Sequence, residues 1–184
     1  MAFQINKIKL KPFSNQGTLH ITHRVKISKS CMWLTPSYLS TSIYIGCSLI
    51  GYALLISAIY FLFIVSDLIA AFALSVGGFT LCLIVKHSGS NRITYQLNGS
   101  QRLIYGLEQP IPFDDIQQVE LLKKTIHSSP DNPFQSGEIC ISTLDNKRYL
   151  LVEGADPSNM KAIAIALAEY IDTPLAIDET LNRV

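Results

Sequence analysis

The sequence predicts a membrane α-hairpin joined to an α+β domain, in which a curved antiparallel sheet is closed by one C-terminal amphipathic helix. Three observations predict this fold class: two long apolar runs follow each other closely, alternating apolar and polar residues come next, and a helical pattern comes last. We expect a basic segment over residues 1–40, the hairpin over 41–87, the domain over 92–178 and a tail over 179–184.

The two apolar runs cover residues 43–65 and 68–85, and only Ser66 and Asp67 separate them. Because a helix rises about 1.5 Å per residue, the runs give helices of roughly 34 Å and roughly 27 Å, close to the ~30 Å hydrocarbon core of a bilayer. A buried hairpin inside a soluble core is the alternative, but a chain of 184 residues has too little other protein to cover both runs. We therefore expect two membrane-spanning helices.

Small residues recur four positions apart in both runs, and the four that we expect at the helix-packing seam are Ala53, Ser57, Ala73 and Gly77. Lipid provides no hydrophobic drive for helices to associate, so helices in a membrane pack closely where side chains are small. The alternative is that this seam joins another membrane protein. Neither run contains a charged residue, which argues against an ion pathway.

Charge is divided sharply between the two halves of the chain. Residues 1–92 contain eight Lys or Arg and one acid, whereas residues 93–184 contain seven bases and thirteen acids. Since Lys and Arg beside membrane segments stay in the cytosol, we expect an inner-membrane protein with both termini cytosolic. The acidic second half argues against nucleic-acid binding, which needs a basic footprint.

Apolar residues alternate loosely with polar and basic ones over residues 3–10 and 19–27. This alternation predicts two possible short strands, and we expect residues 28–42 to be the approach to the membrane. The basic residues of this part have three open interpretations. They hold the N-terminus inside, they contact anionic lipid, or they dock on the acidic domain and add strands to its sheet.

Alternation from Ile93 onward predicts an antiparallel sheet with hairpin turns at residues 98–100 and 145–147. The expected strands cover residues 93–97, 103–107, 116–126, 138–144 and 148–152, and a polar loop covers 128–137.

The last element is a clear amphipathic helix. Asp156 is predicted as its N-cap with Pro157 at the first helical position, and Pro174 stops it. Its apolar residues share one face, and they are Met160, Ile163, Ala164, Leu167, Ala168 and Ile171. We expect this face to cover the sheet.

Two short sequence motifs in the second half of the chain resemble motifs of a known protein family. The first precedes the third strand and consists of Pro112, Phe113, Asp114, Asp115, Ile116 and Val119; the second ends the helix and consists of Leu167, Ala168, Tyr170, Pro174 and Leu175. With these motifs, residues 93–177 resemble the pleckstrin-homology-like domain of small bacterial two-helix membrane proteins, a layout similar to that of the photosystem I assembly factor family. The resemblance implies a scaffold that binds or steadies partners at a membrane and has no inherited catalytic residue.

The sequence contains no Gly-rich phosphate loop, nucleophile elbow or metal-ligand cluster. His20 and His23 lie in an extended segment, where a spacing of three puts side chains on opposite faces. Asp114 and Asp115 are expected to cap a turn rather than to act as paired acids. We therefore expect neither an enzyme nor a bound cofactor or metal.

We expect a scaffold or assembly accessory whose partners are the bilayer and another membrane or membrane-associated protein. An aromatic side chain on a polar loop suits such a contact, and the candidate residues are Pro130, Asp131, Pro133 and Phe134. The alternative is a membrane-surface lipid or small-ligand sensor. Specific phosphoinositide binding is not expected, because the first hairpin of the domain offers only Arg102.

Overall fold

The computed structural model describes residues 5–7, 10–13, 20–87, 93–126 and 133–183. The chain forms two compact units. The first, here called the sheet domain, combines Met1–Ser37 with Thr94–Val184, and the second, the helical hairpin, is Tyr38–Ile93. The N-terminal part of the chain, which the sequence predicted as a segment apart, therefore belongs to the same unit as the C-terminal domain.

The helical hairpin consists of α1 (Tyr38–Tyr60), a π-helical turn (Phe61–Val65) and α2 (Leu68–His87). Both helices are long and apolar enough to cross a membrane, and only 11% and 17% of their most apolar windows are buried. A core helix of a soluble protein would be mostly buried, so this exposure fits lipid contact. The predicted pair of apolar helices is confirmed, and α1 starts five residues before the predicted run at Ile43.

The turn between the helices has its own local support. Ser66 takes a left-handed conformation with φ of 60°, which ends the first helical segment. The Asp67 carboxylate accepts hydrogen bonds from the backbone N–H groups of Ile69 and Ala70 at 3.1 and 3.0 Å. Asp67 is thus the N-cap of α2, which explains why the one acid of this region is placed here.

The two helices pack where glycine leaves room for the facing backbone. The residues buried at this seam are Gly51, Ala58, Ala71 and Gly78, two on each helix and seven residues apart. A Cβ atom added at Gly78 would lie 2.9 Å from the carbonyl oxygen of Gly51. The backbones of α1 and α2 therefore approach each other at this glycine pair.

The seam differs from the one predicted. Ala53 and Ala73 are exposed and Ser57 and Gly77 are only half-buried, so Ala53 and Ala73 lie outside the seam within the hairpin, and their packing against another membrane protein stays a prediction. A spacing of four between small residues occurs on more than one face of these helices. The contact face is selected instead by the Gly51 position, where the helices come close enough for backbone contact.

Within the described residues, the sheet domain forms two five-stranded sheets. The strands are β1 (Ile5–Lys7), β2 (His23–Ile27), β3 (Cys31–Pro36), β4 (Tyr95–Asn98), β5 (Leu103–Tyr105), β6 (Ile111–Pro112), β7 (Ile116–Ile126), β8 (Phe134–Thr143), β9 (Arg148–Gly154) and β10 (Leu175–Arg183). Sheet A has the order β1-β10-β7-β8-β9, and sheet B has the order β2-β3-β4-β5-β6. The predicted α+β layout is thus confirmed, but there are two sheets instead of one antiparallel sheet, and sheet A contains the parallel pairs β1–β10 and β10–β7.

Helix α3 (Pro157–Ile171) follows β9 and was predicted closely. The Asp156 side chain accepts hydrogen bonds from the N–H groups of Ser158 and Asn159, with Pro157 in the first turn. All six predicted apolar residues of this helix are buried in the core that both sheets share. The Tyr170 hydroxyl accepts from the Gly99 N–H at 3.1 Å, so α3 also contacts the turn after β4 in sheet B.

Strand β3 was not predicted, because its residues were expected to form the approach to the membrane. In the structure, β3 pairs with β2 on one side and β4 on the other, and Met32 and Leu34 are fully buried. The interpretation that the basic first part adds strands to the sheet is confirmed by this pairing and by that of β1 with β10.

Strand β10 corrects the predicted C-terminus. The helix is not the last element: residues after Pro174 form a nine-residue strand that runs parallel to both β1 and β7. Leu175, Ala176 and Ile177 are buried at these positions. A strand between two neighbours satisfies its backbone groups on both sides, which explains why a short apolar segment suffices here.

The helical hairpin is an insertion between two neighbouring strands of sheet B. β3 precedes α1 and β4 follows α2, yet the two strands pair directly, with Leu34 opposite Tyr95. The chain therefore leaves the sheet domain and returns to the adjacent position of the same sheet.

We predict that Gly78→Ala weakens the helical hairpin by about 1–3 kcal/mol, because the added methyl group would overlap the Gly51 carbonyl. Gly46→Ala is the matched control, since a Cβ at Gly46 meets nothing within 4 Å and alanine favours a helix. The measurement is unfolding of the full chain in mixed detergent micelles with increasing dodecyl sulfate, followed by circular dichroism. Equal stability of the two variants would contradict the glycine seam.

Candidate functional site

Four ionisable side chains on one face of sheet A are buried and are here called the buried ion cluster, and they are Lys124, Glu138, Glu153 and Asp178. The Lys124 Nζ lies 2.5 Å from Glu138 Oε1 and 3.0 Å from Glu153 Oε1. Lys124 and Glu138 are fully inaccessible to solvent, and Asp178 is only 1% exposed. Charged residues are almost never buried to this extent unless they are paired, so each carboxylate here depends on a nearby donor.

The strand register brings the cluster together. On β7, Leu121 faces the apolar core while Lys124 faces the opposite side, because side chains alternate along a strand. Lys124 is opposite Ser136 of β8, which puts Glu138 at the diagonal position, and Glu138 is directly opposite Glu153 of β9. Diagonal neighbours are within reach of long side chains, so one ammonium can contact both carboxylates.

Backbone from the N-terminal part of the chain covers this face of sheet A. The Leu10 N–H donates a hydrogen bond to Asp178 Oδ2 at 2.6 Å, and the Phe13 N–H donates to Glu138 Oε2 at 2.8 Å. Hydrogen bonds to ionised groups are about twice as strong as neutral ones. The carboxylates of the cluster therefore fix the path of residues 10–13 across the sheet.

A second ion pair lies beside the cluster. Arg148 Nε donates to Glu120 Oε2 at 2.7 Å; Arg148 Nη2 is equally close to that oxygen but is not aligned for a hydrogen bond. Gln118 donates to the other Glu120 oxygen at 3.0 Å. Arg148 Nη1 also donates to the Lys11 carbonyl at 2.8 Å, which ties the same N-terminal segment to β9.

Burial governs the protonation of two groups on this face. It raises the pKa of the Glu153 carboxyl, and the nearby Lys124 ammonium opposes that rise. Burial also raises the pKa of the Cys140 thiol to about 12, so Cys140 is not a thiolate near neutral pH. The cluster thus presents paired ions and an unreactive thiol, an arrangement that suits structural support.

An open groove of about 370 Å³ lies elsewhere on the sheet domain, at the β8–β9 turn. Residues from two regions line it, and they are Gln109, Pro110, Ile111, Pro112, Asp115, Thr143, Leu144, Asp145, Lys147 and Tyr149. Leu144 is 64% exposed, and in the described part of the sheet domain only Phe13 and Ile27 are other large apolar side chains with comparable exposure. A leucine presented beside an open groove suits contact with another molecule.

The β8–β9 turn that presents Leu144 is held by polar contacts. Hydrogen bonds from Lys147 and Thr143 lower the pKa of the Asp145 carboxyl to about 2, so Asp145 stays ionised at physiological pH. Lys147 Nζ lies 2.8 Å from Asp145 Oδ2. Asn146 takes a left-handed conformation with φ of 62°, as this tight turn requires.

The predicted partner-binding residues are placed only in part. Pro130 and Asp131 lie outside the described residues. Pro133 is exposed, and Phe134 is half-buried at the first position of β8, opposite Ile126. The predicted polar loop is therefore too long at its C-terminal end, because Phe134 and the three residues after it pair with β7. Whether these residues contact a partner stays a prediction.

The residues that the sequence raised as possible metal ligands or paired acids make contacts that support the fold. His23 is buried, and its Nδ1 lies 3.0 Å from the Thr22 hydroxyl. Asp114 lies in the short 3-10 helix of Phe113–Asp115 and pairs with Arg102 at 2.9 Å on the surface. Among the residues that the structure describes, no group of three or more His, Cys, Asp or Glu is arranged to hold a metal ion.

Sequence reasoning missed the buried ion cluster, although a signal was present. Glu120 and Lys124 are four residues apart on β7 and share one face of the strand, which places two charges together but is also typical of a solvated face. The basic N-terminal part and the acidic second half were a second signal, since opposite charges within one domain favour contact. Neither signal identified residues 10–13 as the covering segment.

No protein family model, curated protein or solved structure matches this chain. The buried ion cluster and the groove are therefore interpreted from their own chemistry. The cluster is enclosed, whereas the groove is open to another molecule.

We predict that Lys124→Met destabilises the sheet domain by about 3–5 kcal/mol, because it removes the ammonium that Glu138 and Glu153 both contact in the interior. The matched control is Lys123→Met, at the neighbouring position of β7, where the side chain is half-buried and lies on the opposite, core-facing side of the strand. Denaturant unfolding of the full chain in detergent measures both. Comparable losses in the two variants would show that the ion cluster has no special role.

Proposed function

We propose that this protein is a membrane-anchored, non-catalytic scaffold or assembly accessory. The observation that carries the proposal is the pairing of β3 with β4 on the two sides of the helical hairpin. If the hairpin crosses a bilayer, a domain built from both of its flanks is held at the membrane surface by two covalent links. Such a domain suits the role of presenting a partner-binding surface beside the membrane.

The same pairing supports the proposed topology. Leu34 and Tyr95 are opposite each other in one sheet, so the chain before α1 and the chain after α2 have to lie on one side of the membrane. Six Lys or Arg precede α1, and Lys86 and Arg92 follow the second apolar run. Positive flanks favour the cytosolic side, so we propose an inner-membrane location with both termini in the cytosol.

The groove at the β8–β9 turn is the proposed partner contact. Its exposed Leu144 offers an apolar anchor, and Asp145 and Lys147 beside it offer polar recognition. Interface anchors are commonly apolar side chains surrounded by polar groups that exclude water. Pro133 and Phe134 at the start of β8 are a second proposed contact, as expected from the sequence.

A pleckstrin-homology-like relationship is also part of the proposal. What supports it is the order of elements: the antiparallel strands β2 to β6, then the three strands β7 to β9, then α3. The parallel strands β1 and β10 are additions to that order. The scaffold role implied by the resemblance to the photosystem I assembly factor family agrees with this proposal.

We predict that reporters fused before Met1 and after Val184 give the same result: a green fluorescent protein is bright and an alkaline phosphatase, which needs export, is inactive. The control places the phosphatase between Ser66 and Asp67, where it should be active. Opposite results at the two termini would contradict the single-sided topology. An active phosphatase at both termini would retain the hairpin and overturn the cytosolic orientation.

We predict that a photo-crosslinking amino acid at position 144 gives a discrete adduct in native membranes, because Leu144 projects beside the groove. The matched control carries the crosslinker at Lys161, an exposed position on α3. Adding Lys147→Ala should weaken the position-144 adduct while leaving folding intact, as judged by circular dichroism. Adducts that are identical at positions 144 and 161 would reject the groove as the partner contact.

A further inference from the structure

The outer face of sheet B carries a row of four side chains that runs straight across four strands. Lys26 of β2 is opposite Trp33 of β3, Trp33 is opposite Gln96 of β4, and Gln96 is opposite Tyr105 of β5. Their neighbours in sequence, such as Leu34 and Ile104, are fully buried in the core. Because side chains alternate along a strand, this row faces away from the core.

The outer face is positively charged and partly aromatic. Lys26 is exposed, and so is Arg24, which donates a hydrogen bond to Thr35 on the same face at 3.0 Å. The strands β2, β3, β4 and β5 contain no Asp or Glu. Trp33 and Tyr105 are half-buried between these polar neighbours, so each ring keeps an accessible edge.

The strand β3, which carries Trp33, is connected to the first apolar helix by a very short segment. Only Ser37 separates the end of β3 at Pro36 from the start of α1 at Tyr38. Extended chain spans about 3.3 Å per residue, so Trp33 is at most about 17 Å of chain from Tyr38. If α1 enters a membrane, this short connection allows the row of side chains to contact the surface of that membrane. The headgroup layer and its electrostatic surface potential extend over a comparable distance.

We propose that the outer face of sheet B binds the anionic headgroups of the bilayer that holds the helical hairpin. Trp and Tyr rings favour the membrane–water interface because each combines an apolar body with a polar group. Lys and Arg are attracted to anionic lipid with a free energy worth about a fivefold change in binding for each cation. The row lies on a sheet face rather than in a pocket, so it recognises surface charge and not one specific headgroup.

This contact is independent of the partner groove. The row lies on β2 to β5, whereas Leu144 lies in the β8–β9 turn, and no residue belongs to both surfaces. Headgroup binding would restrict the tumbling of the sheet domain at the membrane. The groove would then face a partner in a preferred orientation.

Trp33 is the single tryptophan of the chain, so its fluorescence reports on this face alone. The full chain is reconstituted in nanodiscs of phosphatidylcholine, with or without phosphatidylglycerol, that contain a lipid with a nitroxide on its headgroup. We expect stronger quenching of Trp33 in the anionic nanodiscs than in the neutral ones. Added salt should remove this difference, because it screens the attraction between the basic residues and the anionic lipid. The uncharged aqueous quencher acrylamide should give the opposite order.

Lys26→Gln should lower the docking equilibrium constant about fivefold, and Lys26→Gln combined with Arg24→Gln about 25-fold. Lys26→Arg should retain the quenching, and Lys161→Gln on α3 is the control for a charge removed elsewhere. Circular dichroism checks that each variant is folded. Equal quenching in neutral and anionic nanodiscs, or equal quenching in Lys26→Gln and Lys161→Gln, would overturn the proposal and leave the face to a protein partner.

Discussion

The backbone hydrogen bonds between β3 and β4 are the constraint on which the rest of the structure depends. They join two segments that the whole helical hairpin separates in sequence, with Leu34 opposite Tyr95. Closing so long a connection costs conformational entropy, which the burial of Met32, Leu34 and Leu97 offsets. Truncation at either end of the chain cannot separate the hairpin from the sheet domain, because the hairpin connects two neighbouring strands of sheet B.

The buried ion cluster gives sheet A a second, different kind of constraint. Moving Lys124, Glu138 and Glu153 out of water costs several kcal/mol per ion, and their mutual contacts offset that cost. An apolar layer of the same size would be at least as stable. The buried carboxylates position the N-terminal segment instead, because Glu138 accepts from the Phe13 N–H and Asp178 on the same face accepts from the Leu10 N–H, which defines where that segment crosses the sheet.

Elements with local signals could be predicted from the sequence, and elements that depend on distant partners could not. The apolar helices and α3 were predictable because length, periodicity and the Asp156 cap are all local. β3 was missed because Trp33 and the polar residues near it resemble a membrane approach, and β10 because its apolar part is short. The ion cluster was missed because charged residues on one face of β7, such as Glu120 and Lys124, resemble a solvated face, and the segment that covers them comes from far along the chain.

The insertion of the hairpin between β3 and β4 has a consequence for how the protein is made. A ribosome releases β3 before either apolar helix and β4 after both. During that interval β3 has no β4 to pair with, and an unpaired strand edge is prone to wrong association. Completion of sheet B therefore has to wait until both apolar helices have been synthesised, and a chain arrested after α1 would display an open edge at β3.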